Sequence, residues 1–359
     1  MTRLVVIGLV LLASLVAPAR QLPIRGLTNA AAVARAYDTI LAADFANVPV
    51  RLDETCQSPR LGTESSVTSE PRAASEVCRV LEAMALWWQI SLDPDSRVRD
   101  ADFARIVDRA IAGAEDWTRR EPERAEAWFY LGAAVGARSQ WRVLRRERMA
   151  AARDGQQIKE ALERSLTLDP NLHDANFGIG LYRYYADVAP AALRMLRWLL
   201  LMPGGDRDGG LAQIAAAREH GQLVRGEADY QLHLIYLWYE KRAPEALRLI
   251  EGLQARYPAN PLFHHIEAEI HDDYRHDHEA SYAASARLLA FAAAREVHEP
   301  ALASVQARLN MAVQLDRLGD APAAIDLLET VIADRPARPH GASARAQALM
   351  RSITLKIGS

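Results

Sequence analysis

Apolar residues recur with helical spacing along nearly the whole chain. Val33, Tyr37, Ile40 and Leu41 fall on one side of a helix. From Ala73 onward the same spacing of three and four residues continues almost to the C-terminus. We find no convincing alternation of apolar and polar residues with the period of two that a half-buried strand requires. The pattern therefore predicts an all-α protein.

Prolines interrupt this helical pattern at regular distances. Ala246 and Ala280 are 34 positions apart. Three alanines each precede a proline by 12 positions, in the pairs Ala110 and Pro122, Ala246 and Pro258, and Ala324 and Pro336. Because proline cannot continue a helix, each of these prolines closes a unit. Self-similarity near this period is typical of stacked helical hairpins.

Within the units, the residues resemble the tetratricopeptide repeat. In that family helix A carries a large residue, then Leu and a small residue, and helix B carries Ala, large apolar residues and a closing Pro. The clearest unit contains Met311, Ala312, Gly319, Ala324, Leu328, Val331 and Pro336, and a second contains Trp128, Leu131, Gly132, Leu162 and Pro170. The resemblance covers roughly residues 75–340. It implies a right-handed superhelical solenoid of antiparallel helix hairpins with a C-terminal capping helix. The runs ALWWQISLDP and GIGLYRYYADVAP are also similar to those of a group of exported bacterial tetratricopeptide proteins.

The N-terminus has the features of a secretory signal peptide. Arg3 precedes a mostly apolar run, Leu4 to Val16, and Ala17-Pro18-Ala19 fits a cleavage site. The run is shorter than the roughly 20 residues of a membrane span, although an uncleaved N-terminal anchor is the alternative. We therefore expect a signal peptide at 1–19 and an exported, periplasmic or extracellular protein.

Three further segments follow from the pattern. Residues 20–72 are expected to form an N-terminal helix and a polar loop, residues 73–338 the solenoid, and residues 339–359 a capping helix and tail. Cys56 and Cys78 are the two cysteines. In an exported chain we expect them to form a disulfide that ties the loop, the alternative being two free thiols.

The charge of the chain and the motifs that it lacks narrow the range of possible functions. The chain has 43 basic and 46 acidic residues and a formal net charge of −3, which gives no support for binding nucleic acid. It contains neither a G-x-S-x-G elbow nor a P-loop. We expect a non-catalytic protein without a cofactor.

Aromatic side chains dominate the candidate binding surface. In the family that the chain resembles, certain helix A positions face the concave side of the solenoid. Here those positions hold Phe129, Tyr130, Phe177, Tyr184, Tyr185, Trp238 and Tyr239. Aromatic side chains offer large contact areas to peptides or sugars. The alternative is that they pack between helices.

Two polar segments offer further candidates. An Arg-rich insertion at 140–155 contains Trp141 and Arg145, and Arg138 lies just before it. These side chains suit an anionic ligand. The alternative is that the segment is a solvated helix. His265, Glu269 and Asp272 follow one another at helical spacing and are of types that bind zinc. We nevertheless expect no metal, because the chain contains no H-E-x-x-H motif.

These observations predict an exported scaffold that binds a protein or peptide partner through a concave surface lined by aromatic residues and arginines. Binding of a glycan or cell-wall fragment through the same aromatics is the first alternative. A metal-dependent enzyme that uses the His-rich unit is the second.

Overall fold

The computed structural model describes residues 22–56, 70–188 and 204–357. These residues form fifteen α-helices, one π-helical turn and no strand, apart from an isolated parallel bridge between Ile24 and Arg124. The all-α prediction is confirmed. The predicted signal peptide and most of the loop between the two cysteines lie outside the described residues.

The helices follow one another with short connections. They are α1 Ala30–Leu41, α2 Val48–Cys56, α3 Glu70–Ser91, α4 Asp100–Arg120, α5 Ala125–Leu144, α6 Arg148–Leu168, α7 Ala175–Val188 and α8 Arg207–His220. The chain continues with α9 Arg225–Trp238, α10 Ala243–Arg256, α11 Pro261–Glu269, the π-helical turn Ile270–Tyr274, α12 His278–Ala294, α13 Pro300–Leu318, α14 Ala321–Asp334 and α15 Ala342–Ile357.

Local signals in the sequence account for several helix boundaries. The side chain of Asn260 accepts a hydrogen bond from the backbone N–H of Leu262, and Pro261 occupies the first turn of α11. Asp277 caps α12 in the same way. Gly319 ends α13 with a φ of 87°, a left-handed conformation that glycine adopts without steric cost.

Consecutive helices pack as antiparallel hairpins, and the hairpins stack. The A helices contact one another from unit to unit: α3 packs on α5, α5 on α7, and α11 on α13. The described helices thus form a stack of antiparallel hairpins, as the sequence predicts. Helix α8 is an additional helix between two hairpins. The expected capping helix is α15, which packs on α14 and α13.

The insertion at 140–155 lengthens two helices and forms no separate loop. Helix α5 continues to Leu144 and α6 begins at Arg148, so only three residues form the turn between them. Further along this hairpin, the side chain of Leu162 fills the space beside two glycines. A Cβ atom would lie 2.5 Å from Leu162 at Gly132 and 2.4 Å from it at Gly178. Small residues therefore bring α5, α6 and α7 close together, as the repeat pattern predicts.

The N-terminal segment runs along one edge of the solenoid and crosses four successive turns between units. We call residues 24–41, which include α1, the strap. Its contacts are Ile24 with Glu123 and Ala125, Gly26 with Asp169, Thr28 with Glu126, Tyr37 with Glu227, Asp38 with Tyr257, and Leu41 with Asn260. The apolar side of α1 belongs to the same hydrophobic core as α3 to α7 and α9 to α11.

A disulfide connects Cys56 at the end of α2 to Cys78 in α3, with 6.4 Å between the two Cα atoms. The expected pairing is thus present. Across the described ranges, no helix is both long enough and apolar enough to cross a membrane.

Candidate functional site

A large groove opens on the inner side of the helix stack. Side chains from α3, α5, α6, α7, α9, α11, α13 and α15 line it, and its volume is about 1530 Å³. Most of the lining is apolar, with aliphatic side chains such as Leu81, Leu181, Leu234, Ile266 and Leu309. Pockets for drug-sized molecules usually measure about 300–1,000 Å³, so the groove is larger than a typical small-molecule site.

One edge of the groove is closed. The strap crosses the turns that precede α5, α7, α9 and α11, and its residues Val33 and Tyr37 line the groove. At the start of α9, a Cβ atom on Gly226 would lie 2.5 Å from Leu41, which shows how closely α1 approaches this turn.

The opposite edge forms the mouth of the groove. Because the A helices stack in parallel, their C-terminal ends lie at this edge. Five large apolar side chains that line the groove here are also exposed to solvent: Val143, Met149, Trp238, Tyr239 and Tyr274. Exposed apolar groups concentrated in one place mark an interaction site more often than scattered ones do.

Small residues form the wall that α5 and α6 contribute. Gly136 lies in the middle of α5, and a Cβ atom built on it would meet no atom within 4 Å. Ala133, Ala152 and Gly155 line the same wall. Glycine inside a helix costs about 0.5–1 kcal/mol relative to alanine. At position 136 no neighbouring atom lies close enough to require a glycine. The absence of a side chain there keeps the groove wide.

Six of the seven predicted aromatic residues line the groove, to different depths. Phe129 and Tyr130 are buried, Phe177 and Tyr185 are half-buried, and Trp238 and Tyr239 are 52% and 44% exposed. The seventh, Tyr184, is fully buried among α7, α8 and α9 and is absent from the lining.

The predicted arginines lie outside the groove and bind carboxylates of the chain itself. Arg138 and Arg142 each place a nitrogen 2.7 Å from Oδ1 of Asp154, which is buried. Arg145, whose side chain is 6% exposed, holds Asp100 with two nitrogens and donates to the carbonyl groups of Pro94 and Ser96. Trp141 donates to the same Asp100 at 3.2 Å. The guanidinium groups of Arg138 and Arg145 are therefore occupied within the protein.

A buried carboxylate lies at the inner end of the groove. Glu227 accepts a hydrogen bond of 2.7 Å from the hydroxyl of Tyr37, and Gln140 and Gln231 each place an amide nitrogen 3.4 Å from it. Burial raises the pKa of Glu227, and these three hydrogen bonds oppose the increase.

The predicted metal ligands are divided between two networks. His265 Nε2 lies 3.3 Å from Glu269, and both residues line the groove. Burial disfavours the charge of His265, but its interactions with Glu269 outweigh burial and raise its pKa. Asp272 points instead to Arg317, Gln314 and His278. No three His, Cys, Asp or Glu side chains in the described parts of the chain converge to hold a metal ion.

Several lining residues were not singled out from the sequence. Trp87 comes from α3, Glu227 lies in the first turn of α9, and Tyr274 ends the π-helical turn. The π-helical turn shifts the residues after Glu269 out of α-helical register, so counting in steps of 3.6 could not have brought Tyr274 to the groove.

Two solved structures of tetratricopeptide-repeat proteins match this chain. One is the crystal structure of the APC/C hetero-tetramer Cut9-Hcn1, with a TM-score of 0.40 and 14% identity over 91% of this chain. The match covers 58% of that chain, so the present protein spans less than two thirds of its length. The other is yeast Tom70, with a TM-score of 0.34 and 11% identity over 91% of this chain and 82% of that one. No family model matches the chain, and no curated protein matches it.

Proposed function

We propose that this chain is a non-catalytic, exported binding protein that holds a peptide segment of a partner protein in the groove. The single observation that carries the proposal is the groove itself, about 1530 Å³ in volume, mainly apolar, and closed along one edge by the strap. A site of this size suits several peptide side chains together. The mainly apolar lining favours a peptide over a glycan, because most of a sugar's hydroxyl groups would face apolar side chains there.

The disulfide supports export. Disulfides persist in oxidising compartments and are rare in the reducing cytosol. The bond between Cys56 and Cys78 therefore agrees with the predicted signal peptide. A partner would be met in the periplasm or outside the cell.

Site-specific photo-crosslinking tests the proposal. The photoreactive residue p-benzoylphenylalanine is placed at Gly136, inside the groove, in protein exported to its native envelope. Gly252 in α10 is the matched control, because it is also a helical glycine with no atom within 4 Å of a built Cβ and it does not line the groove.

We expect the photoreactive residue at position 136, and not at 252, to capture one protein, with the crosslinks confined to a contiguous segment of that protein. Identical products from both positions, or none from 136, would refute the peptide proposal. Capture of a glycan strand would instead support the alternative, a glycan ligand.

A further inference from the structure

The π-helical turn brings acidic and aromatic side chains to the mouth of the groove. Glu269, Asp273 and Tyr274 all line the groove. The backbone N–H of Arg275 bonds to the carbonyl of Ile270, five residues earlier, at 3.2 Å. With this spacing, residues five positions apart come to the same side, so Tyr274 joins Glu269, whereas an α-helix would separate them. Such turns occur frequently at functional sites.

Trp238, at the end of α9, lies beside Tyr274. The two side chains are 52% and 37% exposed. Burial raises the pKa of Tyr274, a hydrogen bond with Trp238 opposes the rise, and the charges of Asp273 and Glu269 add to it. The two aromatic rings and the two carboxylates therefore lie together. We call these four residues the mouth cluster.

No lysine or arginine in the described parts of the chain pairs with the carboxylates of the mouth cluster. Glu269 has a side chain that is 51% exposed, and His265 is its ion-pair partner there. Asp273 is exposed and forms neither an ion pair nor a side-chain hydrogen bond with any described residue. Burial and the charge of Glu269 raise the pKa of Asp273, and His276 opposes the rise. Both carboxylates are accessible from the groove.

Two neighbouring cations are directed elsewhere. Arg345 of α15 also lines the groove, but its charge acts on His265, whose pKa it lowers against the stronger effect of Glu269. Lys241 donates a 2.9 Å hydrogen bond to the backbone carbonyl of Trp238 and does not line the groove. The negative charge of the mouth cluster therefore remains available to a ligand.

We propose that the mouth cluster binds a lysine or arginine side chain of the peptide held in the groove. This inference rests on the proposed function and names the chemical class of the partner. The carboxylates would pair with the cationic group, and the rings of Trp238 and Tyr274 offer it their π faces. Apolar side chains of the same peptide would fill the aliphatic lining. An acidic group at this position would be repelled, so the cluster also excludes wrong partners.

Peptide selection provides the first test. A displayed library of random dodecapeptides is selected on the wild-type protein, and peptides that also bind Gly136→Phe are discarded, because the added ring would fill the groove. Gly252→Phe places the same ring outside the groove and should bind all selected peptides. We expect the remaining peptides to share a lysine or arginine at a fixed distance from apolar residues. Its replacement by glutamine should weaken binding about tenfold.

Charge exchange then assigns that basic residue to the mouth cluster. Glu269→Gln and Asp273→Asn should each weaken binding about tenfold. Asp326→Asn is the matched control, because Asp326 is exposed, does not line the groove and pairs with no cation among the described residues. The double variant Glu269→Lys, Asp273→Lys should lose the selected peptides and regain binding when their basic residue is replaced by glutamate. A misfolded variant could not produce this exchange.

The outcomes separate the two proposals. Groove-dependent peptides that need no basic residue, or that bind Glu269→Gln and Asp273→Asn as tightly as wild type, would overturn this inference and leave the peptide-binding function intact. An equal loss with Asp326→Asn would indicate a general charge effect and would also overturn the inference. If no selected peptide is sensitive to Gly136→Phe, both proposals fail.

Discussion

The hydroxyl of Tyr37 donates a 2.7 Å hydrogen bond to the carboxylate of Glu227, which lies 190 residues later in the chain. Both side chains are 3% exposed. Tyr37 belongs to the strap and Glu227 lies in the first turn of α9, so this bond joins the strap to the inner end of the groove. A buried carboxylate depends on such donors, because it cannot exchange them for water.

Replacing Tyr37 by Phe should therefore lower the free energy of unfolding by about 1–3 kcal/mol. The variant keeps the ring in the core and removes the shortest of the hydrogen bonds to Glu227, leaving the longer contacts to Gln140 and Gln231. Urea unfolding measures the change. Tyr239→Phe is the control, because Tyr239 is 44% exposed and should tolerate the loss of its hydroxyl. Equal unfolding midpoints for the two variants would contradict the role of the bond.

Stability should fall in mild acid, partly because of His233. This residue is 1% exposed, and burial lowers its pKa from 6.5 to about 4. The unfolded chain therefore binds a proton between those two values, whereas the folded protein does not. Stability that is present above pH 6.5 is lost as the pH falls toward 4. We expect about 2 kcal/mol of this loss between pH 7 and pH 5.

The variant His233→Gln isolates this contribution. Its unfolding free energy should change less between pH 7 and pH 5 than that of the wild type, whatever its absolute stability. His340→Gln, which makes the same substitution at an exposed histidine, is the control. If all three proteins show the same dependence, His233 titrates normally.

The disulfide should contribute substantially to stability. Cys56 and Cys78 are 22 residues apart, and in the chain-entropy account a crosslink of that span stabilises the folded state by about 3 kcal/mol. The double variant Cys56→Ser, Cys78→Ser should unfold at correspondingly lower urea concentration. Intact mass after iodoacetamide treatment without reductant should show no added group on the wild type. Alkylation of both cysteines in the folded protein would contradict the bond.

Two aromatic residues of similar predicted role should behave differently. Trp238 is 52% exposed at the mouth of the groove, so Trp238→Ala should weaken peptide binding while the melting temperature changes little. Tyr184 is fully buried, so Tyr184→Ala should cost about 3–5 kcal/mol of stability. Thermal unfolding of the two variants compares them directly. A large fall in melting temperature for Trp238→Ala would make it a packing residue.

The sequence predicts the fold well because helical hairpins are local structures. The signals that define a unit all act within that unit, as the apolar spacing, Ala246 and Pro258 do in theirs. Each unit then packs against its neighbours in the same way. Gly132 and Leu162, which the repeat pattern places in the same unit, pack against each other in the structure.

The groove was less predictable, because its composition depends on distant parts of the chain. Arg145 looks free in the sequence, but its partner Asp100 lies 45 residues earlier. Tyr184 occupies a position expected to face the concave side, yet α8 and α9 bury it. Counting residues along a helix also does not reveal which other elements cover a given surface. Here the strap covers one edge of the groove.

The strap has a consequence for how the protein folds. Contacts in repeat proteins are mostly between neighbouring units, so such proteins can fold and unfold one unit at a time. Here residues of the first helix bond to Glu227, Tyr257 and Asn260 across 190 to 219 positions. Such long-range contacts raise the contact order, which slows folding, and they couple the stability of distant repeats. The strap is made before the repeats that it contacts, and it can reach all of its final partners only after Asn260 has been made. We therefore expect the repeats up to α11 to unfold together as one cooperative unit.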